Sequence, residues 1–189
     1  MRIGLTRKLP LALVAGGALL AASAGPALAG VVTTTAGITG GGGVTIATPG
    51  AVNLSATLSG ADQVVAGTLG ASRVKDASGL GQGWQVQVSG TVFTTGGAAP
   101  RTLAADALSV VGVGAGKVAG KMPTNSVSYG GGITVPLGAS VTPVKIYNAA
   151  GDSGMGTFDL TPNVALSVPA DAYAGSYASN ITISVVAGP

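Results

Sequence analysis

Apolar and polar residues alternate along several stretches of this chain, with the period of a strand that has one dry face and one wet face. Val52, Leu54, Ala56 and Leu58 interleave with Asn53, Ser55, Thr57 and Ser59. Trp84, Val86 and Val88 do the same against Gln85, Gln87 and Ser89, and Val164, Leu166 and Val168 form a third row. In the last row Ile181, Ile183 and Val185 oppose Asn180, Thr182 and Ser184. Turn-forming clusters separate the rows: glycines at 40–43, Pro49-Gly50, Ser78-Gly79-Leu80-Gly81, Gly96-Gly97, Gly130-Gly131-Gly132 and residues 148–156. Short strands punctuated in this way predict an all-β fold, an antiparallel β-sandwich of immunoglobulin-like or jelly-roll-like kind. Residues 104–120 are less regular. Their Ala and Leu permit a short helix, but Gly112, Gly114, Gly116 and Gly120 weaken one, so the stretch reads as strand and loop.

Composition agrees with this pattern. Glycine supplies 33 of 189 residues, well above the roughly 7% average. Such a content can signal disorder, but disordered chains are poor in β-branched residues and rich in charge, whereas only 8% of this chain is charged. The absence of cysteine removes disulfides and thiolate metal sites, so stability has to come from sheet packing and hydrogen bonding.

The first 29 residues read as an export leader. Arg2, Arg7 and Lys8 precede the apolar run 9–20, and Ala27-Leu28-Ala29 supplies a small-residue cleavage pattern. The run is too short, and too broken by Gly16, Gly17 and Gly25, for a spanning helix. The leader carries three of the nine basic residues and none of the six acidic ones, so the expected mature chain has no net charge. The pI of 9.5 therefore points to neither nucleic acid nor an anionic membrane. Residues 30–43 read as a flexible Gly-rich leader to a single domain spanning 44–189.

Chemistry-bearing constellations are sparse. The chain has neither histidine nor glutamate, which removes the commonest general base and much of the usual metal-ligand set. Gly112-Val113-Gly114-Ala115-Gly116-Lys117-Val118 lacks the spacing and the Ser or Thr of a phosphate-binding loop and reads as a Gly-rich strand or turn. Asp152 and Asp159 flank a tight turn, the kind of place where oxygen ligands gather around calcium, but their spacing is not that of a calcium loop; Asp152 is expected to cap its own turn. The expectation is a protein that is not an enzyme and carries no cofactor. Trp84, the only tryptophan, shares a face with Val86 and Val88, which favours a core anchor over a sugar-stacking platform.

Two distant segments carry a family resemblance. In the first, Val74, Asp76, the glycines before Trp84, Trp84-Gln85-Val86 and Phe93 make a glycine-tryptophan strand after a short turn. In the second, Gly154-Met155-Gly156-Thr157-Phe158 is followed by residues 164–169 and then Ala174-Gly175-Ser176-Tyr177, leading into the final strand. Together they resemble the signature regions of WxL-domain proteins, exported bacterial surface proteins held non-covalently on the cell wall. Two departures mark a divergent member: Val86 stands in place of leucine, and the second segment has no tryptophan. The signature residues Trp84, Val86, Phe93, Gly175 and Tyr177 are expected in the core. The resemblance implies a secreted, wall-associated structural or adhesive protein whose partners are peptidoglycan or another cell-wall glycan, or other surface proteins. No sorting motif, apolar tail or basic cluster follows Val185, so covalent anchoring and membrane retention are not expected. The alternative is a self-associating subunit of a surface fibre or coat, since low charge and β-branched strands favour edge pairing.

Overall fold

The computed structural model describes residues 35–189, and the leader expected over 1–29 lies outside them. Among the described residues the chain forms strands and turns without helices. The strands are β1 (Val44–Ala47), β2 (Gln63–Thr68), β3 (Ser72–Asp76), β4 (Trp84–Gly90), β5 (Leu108–Gly120), β6 (Ile133–Thr134), β7 (Val144–Ala149), β8 (Gly156–Val168) and β9 (Ile181–Ala187). They make two antiparallel sheets. The larger runs β1-β3-β8-β5-β6, with β2 also on β8; the smaller runs β7-β4-β9. The fold is an all-β sandwich.

β8 organises the larger sheet. Its first half pairs with β3, its second half with β2, and β5 lies along its other side over the whole length. Pro162 is tolerated inside this central strand because it stands between the pairing of β8 with β3, which reaches Leu160, and its pairing with β2, which starts at Asn163. Its carbonyl accepts from the Leu69 N–H at 2.9 Å.

Alternation puts Val74, Leu108, Val110, Phe158, Leu160, Val164 and Leu166 of the larger sheet against Trp84, Val86, Val88 and Ile146 of the smaller one, all buried. Each such side chain contributes about 1.5–3 kcal/mol relative to exposure. The outer side of β7 is covered as well. Asn125 Oδ1 accepts from the Asn148 N–H, Asn148 Oδ1 accepts from Ser126, and the Tyr129 hydroxyl donates to the Ile146 carbonyl at 2.6 Å.

One expectation about the strands needs revision. Residues 52–58 form no strand: Val52 and Leu58 are 41% and 40% exposed, and only Leu54 tucks inward, against Gly67 of β2. They make no ladder, although the outer edge of β2 has no strand beside it among the described residues. Residues 104–120 are loop and strand as expected, the strand running from Leu108 to Gly120 along β8. Residues 35–43 carry no strand, but Gly41 is tied by its N–H to the Ala77 carbonyl at 2.8 Å before β1 begins.

Candidate functional site

The two signature segments, almost a hundred positions apart, lie side by side. β4 pairs with β9 from Trp84 opposite Ala187 to Gly90 opposite Ile181. The pairing resumes beyond the strands, where Thr94 and Ala178 exchange both main-chain hydrogen bonds at 2.9 and 3.0 Å.

Trp84 itself is fully buried. Its ring stacks on Tyr147 of its own sheet, with centroids 5.9 Å apart, and meets Phe158 of the opposite sheet at 6.4 Å. Its Nε1–H donates to the Gly154 carbonyl at 2.9 Å, so the indole's one polar atom is satisfied inside the core. Two glycines make room. A Cβ on Gly83, whose φ is +75°, would collide with the Ala149 carbonyl, and one on Gly154, at φ +71°, would sit 2.8 Å from Trp84 Nε1. Upstream, Asp76 is buried, and its carboxylate accepts from the Ser78 N–H and hydroxyl, which sets the turn that delivers the chain to β4.

Of the signature residues expected in the core, Trp84 and Val86 are buried, and Phe93 and Tyr177 are half-buried against the core cluster. Gly175 is exposed, a departure from expectation. It lies on the loop before β9, where a Cβ would approach Thr95 Cγ2 at 3.1 Å. Asp152 does not cap its turn. It adopts φ 59°, while the Ser153 hydroxyl bridges the turn by donating to the Ala150 carbonyl and accepting from the Thr124 N–H. Asp159 points elsewhere, gripping Arg73 through two hydrogen bonds of 2.7 and 2.8 Å. This charge-assisted contact, with Coulomb attraction added, holds the Asp159 carboxyl below its ordinary range.

Beyond the Thr94–Ala178 bridge, the loops carrying residues 94–103 and 169–178 enclose an open cleft of about 290 Å³. The Arg101 guanidinium lies 3.9 Å from the centroid of the Tyr173 ring, and Tyr173 is 58% exposed. The loops are braced from within. Arg101 and Thr95 are joined through the Arg101 N–H to Thr95 Oγ1 and the Thr95 N–H to the Arg101 carbonyl, each 2.9 Å, and the Tyr177 hydroxyl donates to the Tyr173 carbonyl at 3.0 Å. Arg101 makes no ion pair among the described residues, although Asp171 lines the same cleft. An exposed ring, an unpaired guanidinium and a carboxylate on one open concavity are suited to one face of a sugar ring and its polar substituents. The volume falls at the small end for ligand pockets, which fits one residue of a polymer better than an enclosed metabolite.

A second cleft of about 250 Å³, lined by Ser89, Thr91, Ser140, Asn180 and Thr182 among others, contains no aromatic ring. Nothing in the sequence pattern marked Arg101 as a partner of Tyr173; the two meet only because Thr94 brings their loops together. The chain was compared with family models, curated proteins and solved structures, and none matched.

Proposed function

We propose that this is an exported, non-enzymatic surface protein of the WxL type that associates non-covalently with a bacterial cell-wall glycan, peptidoglycan foremost, in a structural or adhesive role. The observation that carries the reading is the open Arg101–Tyr173–Asp171 cleft, where the loop carrying residues 94–103 meets the second signature segment. Trp84 serves recognition indirectly, by fixing the sheet on which that segment is mounted. The test is co-sedimentation of the secreted protein with purified peptidoglycan at physiological salt. Tyr173→Ala and Arg101→Ala should each weaken binding about tenfold, the scale of a contact worth roughly 1.4 kcal/mol. No sedimentation by the parent protein would sink wall binding; undiminished binding by both variants would remove the cleft from it.

A further inference from the structure

The outer edge of β5 is open. β6 pairs only with Ser109 and Val110, so from Val111 to Gly120 the strand has β8 on one side and, among the described residues, no strand on the other. Val111 and Val118 on this edge are 47% and 53% exposed. The other edges are shorter or screened: β1 has four residues, β2 has six and carries Leu54 against Gly67 and Ser59 bonded to Gln63, β9 lies beside β1, and β7 is covered by residues 125–126 and Tyr129. An unpaired row of N–H and C=O groups is a template for an added strand. Between the two bulges of β5 the ladder is regular from Gly112 to Lys117, which sets the length of strand the edge accepts. The bulges and Lys117 restrict that edge to strands of suitable length and register.

The chain contains a segment of matching character. Val31-Val32-Thr33-Thr34-Thr35-Ala36-Gly37-Ile38 is uncharged and rich in β-branched residues. Ile38, at its described end, is 95% exposed. From Gly41 onward the chain is held to Ala77 beside β1, and β1 stands at the edge of the larger sheet opposite β5. Three strand spacings separate the two, about 14 Å. A segment that leaves one edge of a sheet and pairs with the opposite edge of the next copy makes a heterologous contact, and such contacts repeat head to tail into open filaments.

We propose that residues 31–38 of one copy add as a strand to the 112–117 edge of β5 in a second copy, so that the exported protein polymerises. The inference rests on the export reading in one respect, that leader removal frees the segment; it is independent of wall binding. The test uses protein secreted with its own leader, its N-terminus read by mass spectrometry, followed by sedimentation velocity and electron microscopy. Filaments lengthening with concentration are expected. Thr33→Pro removes an N–H from the donor segment. Gly114→Lys puts a charge mid-edge where a Cβ has room, its nearest neighbour being the Thr161 carbonyl at 3.8 Å. Each variant alone should stay monomeric, and an equimolar mixture should give one-to-one heterodimers and nothing longer. Gly116→Lys, on the same edge and with the Asp159 carbonyl 3.7 Å from its Cβ, replaces Gly114→Lys if circular dichroism shows the latter misfolded. A parent protein monomeric at its highest soluble concentration overturns the proposal, as does assembly of Thr33→Pro equal to that of the parent.

Discussion

Replacing Trp84 with phenylalanine separates a core role from a binding role. The change deletes the Nε1–H that reaches the Gly154 carbonyl at 2.9 Å and leaves that carbonyl buried without its partner; a hydrogen bond of this kind contributes about 0.5–1.5 kcal/mol. It also removes roughly 40 Å³ of side chain from a site with no exposure, which at ~24 cal/mol per Å³ of unrelaxed cavity adds about 1 kcal/mol. With some loss of contact to Tyr147 and Phe158, the expected destabilisation is about 2–3 kcal/mol, or a Tm lower by roughly 5–10 °C. Urea unfolding followed by far-ultraviolet circular dichroism measures it, since the substitution removes the chain's only tryptophan and with it the natural fluorescence probe. Peptidoglycan co-sedimentation, run well below the variant's Tm, should be unchanged. A stability loss under about 0.5 kcal/mol would refute the packing argument, and lost sedimentation by a fully folded variant would return Trp84 to the binding surface.

Two further outcomes follow from neighbouring residues. Gly154→Ala places a methyl group 2.8 Å from Trp84 Nε1 and 2.5 Å from Ala149 Cβ at a φ of +71°; chemical denaturation should show a loss of at least ~2 kcal/mol from strain and overpacking together. Burial pushes the Tyr129 and Tyr147 phenols up, Tyr147 with added repulsion from Tyr129. Their folded-state values then exceed their unfolded ones, so the stability they contribute is complete below about pH 10 and is lost as pH rises through the folded values. Urea midpoints measured from pH 8 to 11 should therefore fall at the alkaline end, and less steeply for Tyr147→Phe.

Much of the fold was legible because alternation reports burial directly. The rows at Trp84–Val88, Val164–Val168 and Ile181–Val185 are strands, since a strand flanked by partners turns every second residue inward whatever its neighbours are. The row at 52–58 had the same pattern without the same outcome, because periodicity reports which face a strand would bury and not whether the segment is hydrogen-bonded into a sheet. Residues 104–120 read as strand and loop, and Leu108–Gly120 is the strand: its glycines weaken local propensity, yet hydrogen bonding along β8 holds it extended. Gly175 was expected inside from its place in a signature, but the loop that carries it faces solvent.

The candidate cleft was not legible at all. Arg101 and Tyr173 are 72 positions apart and belong to no shared motif; they meet because Thr94 pairs with Ala178 at the end of the smaller sheet. What the amino-acid sequence by itself determined is the class of fold, the core role of Trp84 and the poverty of acid-base chemistry, because each depends on residue type and local period. Which strand edges stay open, which loops converge and which cation is set over an aromatic ring were decided only by tertiary structure, because they depend on the order of strands within the sheets, and local periodicity carries no information about that order.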